Sequence, residues 1–216
     1  MRKHGIVLLL IIALMITSCA PKPSAALDDT SCQAPCWRNI SMGMKDTEVI
    51  SLLNGMKDVE KNTISTGSIL KSFWDEEVHW EFTGNQGKYQ GIYFHNGKVV
   101  MMYFEVKGVI LSEAIQKYGE PNQVWATKMT LDTTALNIIF MYPEKGICYE
   151  NLPSWPLFSS SIDTYRIGSS LDVKDIYYFD PSVGMDKYDI GCVWPIDKSL
   201  IQPWKGYGDY KVYSAK

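Results

Sequence analysis

Cysteine has the widest chemical scope of any residue type in this chain, at positions 19, 32, 36, 148 and 192. Cys32-Gln33-Ala34-Pro35-Cys36 has CxxxC spacing, which would suit redox exchange or copper binding with a distant histidine. The spacing alone is weak support, because reactive thiols need an electropositive setting. His79 and Glu81 lie two apart in the alternating stretch Val78-His79-Trp80-Glu81-Phe82, so they share a strand face and could hold a metal or act as an acid–base pair. No third ligand follows at recognisable spacing, and a solvent-facing pair opposite Val78, Trp80 and Phe82 is preferred. Glu76 and Glu77 are adjacent, point to opposite faces and make a poor carboxylate pair for glycoside chemistry. The chain contains no GxSxG elbow, HExxH, P-loop or dinucleotide fingerprint, so no catalytic residue, metal site or cofactor is expected.

The compartment decides what the cysteines do. Met1-Arg2-Lys3-His4 is basic, Ile6 to Ile16 is an unbroken apolar run, and Thr17-Ser18-Cys19 follows. This is the anatomy of a secretory signal, expected over residues 1–18. As a helix the run reaches roughly 16 Å, against about 30 Å for a hydrocarbon core, so it is too short to span. Ile16-Thr17-Ser18-Cys19 resembles the lipobox of bacterial lipoproteins, in which Ile is an accepted variant of the usual Leu. That resemblance implies a lipidated amino-terminal Cys19, and Ala20 after it implies permitted export to an outer membrane where there is one. Several acyl chains on one residue anchor stably, whereas a single chain does not. Residues 19–34 then read as the lipidated cysteine and a flexible tether, with prolines at 21 and 23 and no periodicity.

With residues 1–18 removed, 19 basic residues stand against 24 acidic ones, a charge of −5, and His79 and His95 are the remaining histidines. An even set of four cysteines, Cys32, Cys36, Cys148 and Cys192, favours disulfides in an exported chain. Three pairings are open and sequence does not choose among them; the preferred one joins Cys32 to Cys36 and Cys148 to Cys192. The 216 residues are 46% hydrophobic and 21% charged, with mean hydropathy −0.12 and pI near 5.6. That balance excludes a disordered tail or polytopic membrane protein and gives no support to a nucleic-acid binder.

The elements that would position these residues fall into two series. Asp46 or Thr47 is expected to cap a short helix carrying Val49, Ile50, Leu52 and Leu53 on one stripe, stopped by Asn54-Gly55. Strands follow over 78–82, 89–95 and 99–106, with Gly84-Asn85-Gln86-Gly87 and the strong hairpin signal Asn96-Gly97 between them. The pattern then restarts: Ser112 caps, Glu113 matches Glu48, Ile115 matches Ile50, Tyr118 matches Leu53, and Gly119 and Pro121 end the helix. Strands over 123–129, 135–142 and 147–151 come next. Helix then meander, twice, reads as an internal duplication of about 65 residues. Simple alternation places Ile92, Phe94, Val99 and Met101 on one hairpin face and Tyr93, Val100, Met102 and Phe104 on the other. Both faces are apolar, so one short helix leaves the second in need of cover. The second unit is the preferred cover and a partner protein the alternative.

Pro35-Cys36-Trp37-Arg38-Asn39-Ile40-Ser41-Met42-Gly43 and Leu111-Ser112-Glu113-Ala114-Ile115-Gln116-Lys117-Tyr118-Gly119-Glu120-Pro121 resemble an uncharacterised bacterial lipoprotein family with PCWxGIxPG and LxExIxxYGxP motifs. The chain departs at Asn39, where Gly is usual, and at Met42, where Pro is usual. The helix-plus-meander unit is similar to the BamE/SmpA/OmlA lipoprotein domain and to beta-lactamase-inhibitor proteins. That likeness covers roughly residues 35–151 and implies a fold but no activity.

Beyond residue 152 the chain is less regular. Val173 to Phe179 reads as a strand, and Trp194, Trp204, Tyr207, Tyr210 and Tyr213 are expected to cover a sheet face rather than to stack on a ligand. The expectation is therefore an α+β chain of two tandem helix-plus-antiparallel-meander units, 35–107 and 108–152, with an irregular β-rich extension over 153–216. In function it reads as a non-catalytic binding or structural module outside the cytoplasm, tied to a bacterial cell membrane or outer membrane through Cys19, with an envelope protein as partner. The alternative is an envelope enzyme or metal- or redox-handling lipoprotein using Cys32/Cys36 and His79/Glu81.

Overall fold

The computed structural model describes residues 31–57, 59–66, 76–82, 90–130, 134–151, 162–182, 190–191, 194–195 and 198–214. The leader, Cys19, the tether up to residue 30, the turn at 84–87 and Cys192 lie outside the described residues.

The chain enters through a small hairpin, β1 (Cys36–Trp37) and β2 (Ile40–Ser41). Its two central residues, Arg38 and Asn39, have φ of 47° and 67°, the left-handed pair that a type I′ turn requires. Asparagine tolerates that region better than most residues do, so Asn39 sustains the turn without a glycine. A second turn follows, closed by Met44 N–H to Ser41 O at 3.2 Å, with Gly43 at φ 78°. That is the type II arrangement, in which proline suits the place Met42 occupies. The hairpin drives Trp37 and Ile40 into the core, both fully buried, with the indole 5.4 Å from the Phe104 ring.

Helix α1 (Asp46–Gly55) buries Val49 and Leu53. Neither Asp46 nor Thr47 caps it, as had been expected; the cap position is Lys45, whose N–H is taken by the Glu48 carboxylate at 3.4 Å. Helix α2 (Leu111–Tyr118) repeats the device and buries Leu111, Ala114 and Tyr118. There Ile110 N–H donates to Glu113 at 3.1 Å, while Ser112, the expected cap, lies inside the helix. Its N–H and that of Leu111 are occupied by the carbonyls of Ser169 and Leu171. A tertiary loop thus satisfies donors that a side-chain cap would otherwise serve.

The strands between and after the helices are β3 (Val59–Thr66), β4 (Glu76–Phe82), β5 (Gln90–His95), β6 (Lys98–Ile110), β7 (Gln123–Thr130), β8 (Thr134–Tyr142), β9 (Ile147–Asn151), β10 (Thr164–Ile167), β11 (Asp172–Phe179), β12 (Ile190–Gly191), β13 (Trp194–Pro195), β14 (Ile201–Pro203), β15 (Gly208–Lys211) and β16 (Tyr213–Ser214). The structure is α+β and mostly sheet. Its main sheet runs β14-β7-β8-β9-β11-β6-β5-β4-β3, with β16 added in parallel to β7. The middle strand β11, from the C-terminal third, pairs with β6 on one side and β9 on the other. Its run Ile176-Tyr177-Tyr178-Phe179 is buried on both faces, as a central strand must be.

At the β5–β6 hairpin, Asn96 and Gly97 have φ of 51° and 67°, and His95 opposes Lys98 and Phe94 opposes Val99 as expected. The faces beyond the turn differ from simple alternation. Tyr93 pairs with Met101 while Phe94 pairs with Val99, so Val100 is an extra residue in β6. This β-bulge inverts the alternation. Met102, Phe104 and Val106 thereby join Ile92, Phe94 and Val99 in the core under the helices, and Met101 moves to the opposite face.

Cover of the second face also differs from expectation. The second meander extends the sheet edgewise instead of lying over the first. Among the described residues, Leu200 and Ile201 pack on that face, against Met101, Trp125, Ile139, Met141, Cys148, Tyr177 and Phe179. On the helix side, Trp204 meets Phe140 edge-on at 5.8 Å and stacks on Tyr210 at 5.7 Å. Tyr210 Oη accepts from Lys205 N–H and donates to Gly206 O, so these aromatics cover the sheet and close a turn.

Candidate functional site

An open cleft of about 490 Å³ lies where the N-terminal disulfide loop meets the end of α2 and the 3-10 turn Pro143–Lys145. Cys32, Pro35, Lys117, Glu144, Lys145 and Pro181 are among the residues that line it. Helix termination builds its floor. Gly119 breaks α2 at φ 84°, Tyr142 Oη donates to Gly119 O at 2.6 Å, and Lys145 Nζ donates to Tyr118 O. The Lys145 ammonium sits 5.4 Å above the Tyr142 ring, and Lys117 sits 5.6 Å from the centre of the Tyr118 ring. Cations here complement the negative end of the helix. Lys145 forms no ion pair among the described residues, and its ammonium is held in place by the Tyr118 carbonyl.

Gly146, after the 3-10 turn, has φ 63°, and an added Cβ would collide with Phe179 O and press on Pro35. This glycine lets β9 start close against both β11 and the disulfide loop. The described lining offers hydrogen-bond donors, one exposed carboxylate and one aromatic ring, that of Tyr118. Such a surface can receive a polar or anionic group.

A second cluster occupies the helix-free face at the sheet centre. Glu150 on β9 and Asp175 on β11 are cross-strand partners, 1% and 5% exposed. Asn137 Nδ2 donates to Glu150 at 2.6 Å and Tyr177 Oη donates to it at 3.1 Å, while Tyr103 Oη donates to Asp175 at 2.8 Å. Burial, then the neighbouring Asp175, pushes the Glu150 carboxyl up from 4.5 to about 7, against the lowering effect of the two hydrogen bonds. The Tyr103 and Tyr177 hydroxyls are raised by burial and the same carboxylates. Sequence reasoning passed over this cluster. Its only signal is an acidic residue at an alternate position of each of two otherwise apolar strands, and their adjacency depends on β11 pairing with β9.

Of the residues singled out from sequence, Cys32 and Cys36 are bonded to each other with Cα atoms 5.7 Å apart, so neither sulfur is a thiolate ligand in this state. Cys148 is also disulfide-bonded; its partner lies outside the described residues, as do Cys19 and Cys192. His79 and Glu81 both lie in β4, with His79 opposite Thr63 and Gly91; their side chains, and those of Glu76 and Glu77, lie outside the described residues. Among the described residues no group of three or more His, Cys, Asp or Glu is placed to hold a metal, and no helix is long and apolar enough to cross a membrane. No protein-family model matches the chain, and no curated protein and no solved structure is detectably similar to it.

Proposed function

We propose that this is a bacterial lipoprotein whose mature chain begins at a lipidated Cys19 and works outside the cytoplasm as a non-catalytic binding module, with the cleft beside the disulfide loop as its contact site. In this reading residues 1–18 are a signal peptide, and the chain carries two helix-plus-meander units of similar build. Cys192 pairs with Cys148. The observation that carries the reading is the leader ending in Ile16-Thr17-Ser18-Cys19, followed thirteen residues later by the Cys32–Cys36 disulfide. Structural disulfides belong to oxidising compartments, and a cleft walled by the loop that follows the tether is held near the anchoring surface. A flexible tether of twelve residues spans about 20 Å on average.

Intact mass of protein recovered from membranes tests the anchor: loss of residues 1–18 with an acyl adduct on Cys19 is expected. Membrane retention of Cys19→Ser with an unmodified amino end would overturn it. The cleft is tested separately by crosslinking in the native cell with the wild type and with Lys117→Glu/Lys145→Glu. Neighbours recovered with the wild type and lost with the double variant support the site; identical recoveries count against it.

A further inference from the structure

The carboxylate cluster shares no residue with the lining of the cleft, and it occupies a mechanically special position. The half of the sheet made by β7, β8 and β9 joins the half made by β3 to β6 through β11 alone among the described strands. The two seams of β11 are unequal. Among the described residues seven pairs hold it to β6 and four hold it to β9, and Glu150 with Asp175 is one of the four. Glu105 on β6 opposes Asp175 from the other side, so three carboxyl groups lie in one cross-strand row. Directly opposed like charges weaken a strand pair, and a water-poor setting increases the repulsion.

Glu150 is faced from several strands. From β6 come Tyr103 and Glu105, from β11 Asp175 and Tyr177, from β8 Asn137, from β9 the disulfide-bonded Cys148, and from β7 Trp125 and Thr127. These described neighbours are acidic, neutral or apolar, and burial, Asp175, Asn137 and Tyr177 all act on Glu150.

We infer that Glu150 and Asp175 form a proton-sensitive joint: the β9–β11 seam is closed while the pair holds one proton and loosens when both carboxyls are ionised. The bound proton lets two buried, opposed side chains coexist with a single negative charge. Losing it to solvent places two charges in directly opposed positions of the seam, where their repulsion acts against the pairing of the two strands. An exported chain meets the pH of its surroundings directly, so such a joint would report that pH as a change in how firmly the two sheet halves are held.

Amide hydrogen exchange of the purified protein between about pH 5 and about pH 8 reads the joint, after correction for the intrinsic pH dependence of exchange. Opening of the β9 and β11 amides should rise about 70-fold across that range if the opened state restores an ordinary glutamate. The amides of α1 should change by less than about twofold. Glu150→Gln, which keeps the shape and one acceptor oxygen, turns the contact on the other side into a donor and removes the titration, should flatten the β9–β11 response. Infrared difference spectra provide a second readout: a carboxylic-acid carbonyl band that persists at about pH 6, where ordinary carboxyls are ionised, is lost by about pH 8, and is missing at about pH 6 in the variant. A wild-type seam indifferent to pH, or a variant that keeps the response, overturns the inference. Should Glu150→Gln fail to fold, Asp175→Asn serves in its place: it should narrow the wild-type range severalfold, and an unchanged range counts against the pair.

Discussion

Glu150 has a stability consequence whose sign follows from its burial. Its carboxyl lies at about 7 in the fold against 4.5 when exposed, so the folded chain holds a proton that the unfolded chain releases. The stabilisation is complete below about pH 4.5, declines as pH rises through the interval to about 7, and is then gone, a difference of about 3 kcal/mol. Urea unfolding of the wild type at a series of pH values should show this slope, and Glu150→Gln should remove it. Equal slopes in the two proteins would mean that other groups set the pH dependence. Trp37 is the opposite kind of residue, apolar and fully buried against Phe104. Trp37→Ala should cost about 3–5 kcal/mol, seen as a lower denaturation midpoint; a loss under about 1 kcal/mol would contradict its place in the core. Trp37 was conspicuous in the sequence as part of a motif. Glu150 was not, because a single acid in an apolar strand carries no sign of what faces it.

At the scale of elements, the two turns after the disulfide explain a pattern of residue types. Position 39 needs positive φ and position 42 needs the φ of a type II turn. Asn39→Gly should leave stability within about 0.5 kcal/mol, whereas Asn39→Val should cost about 1–2 kcal/mol, because a β-branched side chain resists the left-handed region. Met42→Pro should raise stability by about 0.4–1 kcal/mol by restricting the unfolded chain. Thermal midpoints of the three variants test the turn assignments, and a stabilised Asn39→Val would refute the first. The Glu113 carboxylate holds the N–H of Ile110 at the start of α2, and Glu113→Ala should cost about 1 kcal/mol. The Asn96-Gly97 hairpin was legible because its turn chemistry is local. The bulge at Val100 was not: Val99, Val100, Met101, Met102, Tyr103 and Phe104 are apolar at every position, so alternation holds no record of which face each one takes.

For the whole molecule, β11 is the element on which the sheet depends. A chain ended after residue 170 keeps both helices and both meanders but loses the strand between them. It should fail to reach the cooperative native state, exposing the apolar edges of β6 and β9. Circular dichroism and dye binding would detect this as lost near-ultraviolet signal with increased exposed apolar surface; a cooperative unfolding transition in the truncated chain would show that each half stands alone. Residues 173–179 were readable as a strand, because an aromatic and β-branched run has little alternative. Their place at the centre was not readable, since pairing partners some 25 and 70 residues apart leave no local trace. The amino-acid sequence by itself determined the leader pattern, the two short helices though not their caps, the Asn-Gly hairpin and the cysteine pair close enough to bond, all of them set by neighbours within a few residues. Tertiary structure alone decided which face Met101 and Met102 take, that Glu150 confronts Asp175, and that the C-terminal third lies at the middle of the sheet. Those outcomes depend on register and long-range pairing, where the free energy comes from contacts that no short stretch of chain contains.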